Sequence, residues 1–203
     1  MRGGSGSIWG NRELIYELPR TVVFGGREWA INTDFRAVLA ILAAFEDPEL
    51  SDDEKAYVCL RRLYREFESI PRDALQEAFD AAIRFIDHGE GGERGPRTMD
   101  WEQDAPLIFP AVNRVAGCEV RALDYLHWWT FLGYFMEIRD STAATVFSLR
   151  QKKARGRKLE KWEKEFWEQN AEICRLKPRM SEAERDEKRR LEQLLGVRPD
   201  GGC

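Results

Sequence analysis

The chain has 203 residues, of which 43% are hydrophobic and 33% are charged, so it has the size and composition of one soluble domain. It contains no run of about 18 apolar residues, the length that a membrane-spanning helix needs. Its Gly/Ser-rich start also lacks the apolar segment of a secretory signal. Four widely spaced cysteines and two histidines argue against a disulfide framework or a zinc site, and they favour a reducing cytoplasm.

Charge is distributed unevenly along the chain. The formal net charge is −4, but residues 1–146 carry −9 and residues 147–203 carry +5. An acidic body with a basic C-terminal part predicts two surfaces that bind different partners. Alternatively, the basic surface of one copy of the chain binds the acidic surface of another.

The N-terminal part predicts a β-hairpin. Two short runs of β-branched and aromatic residues, 20–24 and 27–31, flank a Gly25-Gly26 pair. Two consecutive glycines supply the positive φ angles that a two-residue hairpin turn requires. Residues 1–15, before this hairpin, are expected to form a flexible N-terminus.

From residue 33 onward the apolar periodicity is that of helices. The first helix has apolar residues at helical spacing from 35 to 45, and the second begins at a capping box formed by Ser51 and Glu54. The second helix is expected to bury Tyr57 among its apolar residues. A third helix begins near Pro71, a favourable first-turn residue.

The remaining segments complete a mainly α domain of about six to eight helices with a short N-terminal β-hairpin, spanning residues 16–176. The glycine-rich stretch 88–98 is predicted to be a flexible loop. Residues 177–203 are predicted to form a charged C-terminal helix and tail. Further helices are expected at 99–115, 123–138, 141–154 and 158–176.

The segment 123–138 is the most apolar of these helices. Eleven of its sixteen residues are large and apolar, so it must lie at the centre of a core or expose a patch for a partner. Its histidine, His127, is interpreted as a packed or interface residue. The alternative makes His127 a general base with Asp124.

The segment 150–158 (RQKKARGRK) is the part of the sequence that most clearly indicates a charged contact surface, because six of its nine residues are basic. Its pattern is typical of a solvated or protein-binding helix face, whereas a nucleic-acid contact is the alternative. The run contains no aromatic residue on which a base would stack. Its six basic residues are Arg150, Lys152, Lys153, Arg155, Arg157 and Lys158.

Several segments together resemble the bacteriophage gene-product-fifteen family of long-tailed phages and prophages of Gram-positive bacteria. The resemblance runs from about Tyr16 to Leu176, and its most distinctive strings are DWEQD and YLHWWTFLG. The segments that carry it are TDFRAVLAIL (33–42), DPELSDDEKAYVCLRRLY (47–64), MDWEQDAPLIFPAVNRVAG (99–117), LDYLHWWTFLGYFMEI (123–138) and RQKKARGRKLEKWEKEF (150–166).

The resemblance implies a non-enzymatic role as a tail assembly chaperone. Such proteins coat the long, aggregation-prone tape measure protein in the host cytoplasm and leave as tail-tube subunits assemble around it. The chaperone is therefore not expected in the mature virion. The resemblance supplies no catalytic, cofactor-binding or metal-binding residues, and no membrane partner is expected.

Combining residues and resemblance gives two expected contact surfaces. The basic segment would contact other copies of the chain or the tail-tube protein, and the aromatic helix would bind the tape measure protein. Two alternatives remain: a nucleic-acid binder acting through 150–158, and a small enzyme with a site around His127, Asp124 and Glu137. The residues expected to bind the client are Trp128, Trp129, Phe131, Tyr134 and Phe135.

Overall fold

The structure, a computed structural model, describes residues 17–88 and 96–194, and its first element is the predicted hairpin. Strands β1 (Thr21–Phe24) and β2 (Arg27–Ala30) pair antiparallel, with Val22 opposite Trp29. Gly25 and Gly26 make the turn with φ angles of 56° and 70°, as predicted. The N-terminus that was expected to be flexible lies outside the described residues.

Helices follow the hairpin, which confirms the mainly α fold class. Residues 89–95 of the predicted loop 88–98 lie outside the described part of the chain. None of the described helices is long and apolar enough to cross a membrane. In the described residues the helices are α1 (Phe35–Glu46), α2 (Asp52–Leu63), α3 (Leu75–Ile86), α4 (Ala105–Ala116), α5 (Trp128–Met136), α6 (Thr142–Ala154), α7 (Lys161–Gln169), α8 (Ala171–Cys174) and α9 (Glu182–Leu194).

Local capping signals set several of these boundaries. Ser51 and Glu54 form the predicted capping box of α2, and Ser141 accepts a 3.1 Å hydrogen bond from the Ala144 amide at the start of α6. Gly117 ends α4 in the left-handed conformation, with φ of 72°. Short-range hydrogen bonding therefore fixes these ends, and at α2 it does so as the sequence predicted.

The predicted helix 123–138 is shorter in the structure, because tertiary hydrogen bonds replace its first turn. The Trp128 amide donates to the Thr33 carbonyl at 2.7 Å, and the Phe35 amide donates to the Leu126 carbonyl at 3.0 Å. These bonds hold the chain before Trp128 extended against the start of α1, so α5 begins only at Trp128.

The predicted helix 158–176 is likewise divided. Asn170 interrupts it between α7 and α8, with backbone angles of −119° and 34° outside the helical region. Its side-chain amide donates a 2.9 Å hydrogen bond to the Phe166 carbonyl. An Asn side chain that bonds locally to the backbone competes with helix continuation, which explains the break.

The hydrophobic core is centred on α5. Phe131 is fully buried and stacks on Phe35 of α1, with ring centroids 4.6 Å apart. The indole nitrogens of Trp128 and Trp129 each donate a 2.9 Å hydrogen bond to the last turn of α3, to the carbonyls of Ile86 and Phe85 respectively. Helix α5 therefore connects α1 to α3 inside the core.

The C-terminal part is held to this body by charged and polar contacts. Arg179 lies 2.7 Å from the Glu46 carboxylate and 2.9 Å from that of Asp100. The Lys177 amide donates to the Gln103 side chain at 2.9 Å, and the Glu182 amide donates to the Glu49 carboxylate. The start of α9 is thereby fixed beside the end of α1.

Candidate protein-binding groove

An open groove of about 890 Å³ is lined by residues of α2 and α3 and by Phe45 of α1 and Phe67. We call it the α2–α3 groove. Eight of its fourteen lining residues are apolar or aromatic, and five are charged. Its lining residues are Phe45, Asp52, Asp53, Lys55, Ala56, Tyr57, Leu60, Phe67, Leu75, Gln76, Phe79, Asp80, Ile83 and Arg84.

The two helices are fixed to each other at the C-terminal end of α2. The Tyr64 hydroxyl donates a buried 2.7 Å hydrogen bond to the Ala78 carbonyl of α3. Ala78, Ala81 and Ala82 are buried on α3, and their small side chains allow close approach of the helices. Burial raises the pKa of the Tyr64 hydroxyl above its usual range, so it stays a donor at neutral pH.

Aromatic side chains form the walls. Tyr57 contacts Phe67 edge-on with ring centroids 5.6 Å apart, and Phe45 contacts Phe79 in the same manner at 6.2 Å. Tyr57 is 55% exposed, whereas the sequence predicted it to be buried. That prediction was wrong because α2 covers the core with fewer residues than its apolar spacing suggests, namely Cys59, Leu60 and Leu63.

Charge on the groove is mixed and leans acidic. Asp52 and Asp53 lie in the first turn of α2, and Asp80 lies on α3, while Lys55 and Arg84 supply the positive charges. The Arg84 Nε is buried and has no hydrogen-bond partner among the described residues. A bound segment with both cations and carboxylates would therefore find partners along this groove.

The expected client residues lie elsewhere, and two of them are inaccessible. Trp128 is 2% exposed and Phe131 is 0% exposed, so the prediction that they contact a client was wrong. They fill the core because α5 packs between α1, α3 and α4. Trp129, Tyr134 and Phe135 are partly buried against that core.

The expected basic surface is also divided by the structure. Arg150 is buried and makes a bidentate ion pair with Asp104, at 2.6 and 2.8 Å, so its assignment to a contact surface was wrong. Lys152 pairs with the buried Glu163 carboxylate, and the Lys153 ammonium lies 4.1 Å from the centre of the Trp167 ring.

The other three cations of the segment, Arg155, Arg157 and Lys158, are exposed. Of the six cations that motivated a nucleic-acid contact, these three and Lys153 are exposed, Lys152 is partly exposed but paired with Glu163, and Arg150 is buried. Because each phosphate contact adds to binding, a smaller set of cations weakens that alternative.

His127 is part of the framework and does not line a cleft. Its Nδ1 accepts a 3.0 Å hydrogen bond from the Trp129 amide and caps α5, while its Nε2 bonds the Pro19 carbonyl at 2.9 Å. Burial lowers the pKa of His127, which keeps the ring neutral. The sequence predicted that His127 lies inside a helix. That prediction was wrong, because α5 begins at Trp128, the residue after His127.

The other residues of the enzyme alternative do not gather around His127. Asp124 and Glu137 are both exposed, and neither is a hydrogen-bond partner of the ring. Within the described ranges, no cluster of three or more His, Cys, Asp or Glu side chains could hold a metal ion.

The chain matches the model of the family described as Bacteriophage Gp15 protein over residues 14–176. This range contains α1 to α8 and both helices of the groove, and it ends before α9. No curated protein and no solved structure is detectably similar to the chain. Since the matched range covers most of the sequence, the chain belongs to the bacteriophage Gp15 protein family.

Proposed function

We propose that this protein is a non-enzymatic tail assembly chaperone that keeps the tape measure protein of a long-tailed phage soluble during tail assembly. It acts in the host cytoplasm and is released before the virion is complete. Membership in a phage family supports this proposal. The open, largely apolar α2–α3 groove is the single structural observation on which it depends.

The apolar lining of the groove, between two helices, suits a helical client. A helix with its side chains is about 10 Å across, and amphipathic helices bind by placing their apolar face in a hydrophobic groove. Tyr57 is a suitable anchor because its ring is half exposed and supported by Phe67. Tyrosines of this kind contribute disproportionately to binding energy.

Co-expression with the tape measure protein tests the proposal. Tyr57→Ala removes the exposed anchor and should weaken client binding by about 10- to 30-fold, which corresponds to about 2 kcal/mol. The soluble fraction of the client should fall accordingly. Trp162→Ala is a matched control, because Trp162 is 54% exposed on α7, outside the groove, and its loss should leave the client soluble.

The result that contradicts the proposal is also specific. A folded Tyr57→Ala protein that keeps the client as soluble as the wild type does would remove the groove from consideration. If Trp129→Ala or Phe135→Ala lowers client solubility instead, binding belongs to the partly buried face of α5. Circular dichroism of each variant establishes that it is folded.

A further inference from the structure

Helix α9 is a charged helix that covers little of the protein to which it belongs. It has 13 residues and is therefore about 20 Å long. Its first six residues hold four carboxylates and Arg185, a net charge of −3, and its last seven hold Lys188, Arg189, Arg190 and Glu192, a net charge of +2. Arg189 pairs with Asp186 along the helix. Leu191 is 50% exposed, although it is the largest apolar side chain described on this helix.

The start of α9 is held to the body by hydrogen bonds and ion pairs. The Glu182 amide bonds the Glu49 carboxylate, and Arg179 just before the helix pairs with Glu46 and Asp100. Farther along, a cleft of about 840 Å³ opens beside the helix at Arg185, Lys188 and Arg189. Among the side chains that the structure describes, none of α9 lines the α2–α3 groove.

The described part of the chain thus contains two separate surfaces, the open α2–α3 groove and the exposed helix α9. The basic second half of α9 matches the carboxylates of Asp52, Asp53 and Asp80 in the groove. Its acidic first half offers carboxylates to Lys55 and Arg84, the two cations of the groove. Leu191 supplies an apolar side chain for the aromatic wall near Tyr57.

We propose that, without a client, α9 of a second copy occupies the α2–α3 groove. The contact is heterologous, because the two surfaces that meet are different. Each copy contains one of each, namely α9 and the α2–α3 groove. Such a contact links two copies reciprocally when each gives α9 to the other, and otherwise it builds a ring or an open chain of copies. The proposal rests on the same groove as the proposed function, and it implies that client and α9 compete.

Sedimentation velocity of the full-length protein over a range of concentrations tests this association. The wild type and the control Trp162→Ala should form larger species as concentration rises. Tyr57→Ala, which alters only the groove, and Leu191→Asp, which alters only the helix, should each weaken association by about tenfold or more. Asp80→Lys is a second groove variant if Tyr57→Ala misfolds.

A mixing experiment distinguishes this contact from other kinds of pairing. Tyr57→Ala retains an intact helix, and Leu191→Asp retains an intact groove. Mixed in equal amounts, they should form a one-to-one complex that does not grow further, because each partner lacks one surface. Two α9 helices that paired with each other would instead associate in Tyr57→Ala alone.

Several outcomes would overturn the proposal. A wild-type protein that stays monomeric at all concentrations contradicts it. This holds whether the groove is then empty or filled by α9 of the same chain. Association of Tyr57→Ala that equals that of the wild type contradicts it as well. Because these measurements contain no client, their failure leaves the client experiment unaffected, and a failed client experiment leaves the self-association result unaffected.

Discussion

Arg150 joins three separate segments of the protein. Its guanidinium pairs with Asp104 and also donates to the carbonyls of Thr98, Ile173 and Cys174, at 3.2, 2.7 and 3.0 Å. The five donors of an arginine suit such a position, since all can be satisfied at once. The sequence placed Arg150 on a surface because it stands in a basic run, and its partner lies 46 residues away.

Breaking this pair should be costly. Asp104→Asn leaves the buried Arg150 charge without its carboxylate, and we expect the free energy of unfolding to fall by about 3 to 5 kcal/mol. Urea denaturation followed by circular dichroism measures the change. Glu68→Gln is the control, because it removes the exposed Arg61–Glu68 pair and should change little. Equal effects of the two substitutions would show that the buried pair has no special role.

At the scale of single elements, His127 makes the stability of α5 dependent on pH. The ring must be neutral to accept the Trp129 amide at Nδ1, and burial lowers its pKa in the folded protein. The unfolded chain therefore takes up a proton before the folded protein does. Stability is retained above about pH 6.5 and falls as the pH drops below it.

The measurement is the free energy of unfolding between about pH 7.5 and about pH 5.5, one unit on either side of the ordinary histidine pKa. His127→Asn is the comparison, because asparagine also caps helices but does not titrate in this range. The wild type should lose more stability on acidification than the variant. Parallel pH profiles for the two proteins would contradict this assignment.

Elements that depend on neighbouring residues were predicted well from the sequence. The Gly25-Gly26 turn and the Ser51–Glu54 capping box act over two to four residues, and both are present. The start of α5 was predicted wrongly, because it depends on hydrogen bonds to Thr33, far away in the chain. The groove was missed for a related reason: apolar spacing marks Tyr57 as inward-facing, and only the packing of α2 on α3 decides how much of it is covered.

At the scale of the whole molecule, the residues that match the family model contain the helices α1 to α8 that pack together. The family match ends at residue 176, and the residues after it attach mainly through Arg179 and Glu182. Charge alone indicated that the C-terminal part differs from the rest, but it did not indicate that an arginine of this part reaches carboxylates of the body. Those carboxylates come from α1 and from the turn before α4.

Two truncations should separate the roles of Arg179 and α9. A chain ending at Ser181 loses α9 but keeps Arg179, so its stability should stay close to that of the full chain. A chain ending at Pro178 keeps the Lys177 bond to Gln103 but leaves Glu46 and Asp100 without Arg179, and it should lose a further 1 to 3 kcal/mol, roughly the value of charged hydrogen bonds. Urea denaturation of both proteins measures the difference. Equal stability of the two truncated chains would contradict the role given to Arg179.

The indole bonds of Trp128 and Trp129 provide a built-in optical reporter. Both rings hold carbonyls in the last turn of α3, and that turn also contains Ile83 and Arg84 of the groove. Indole emission responds to hydrogen bonding and to the polarity around the ring. Any ligand that displaces this end of α3 should therefore alter the intrinsic fluorescence of the protein, and occupancy can be followed in unlabelled material.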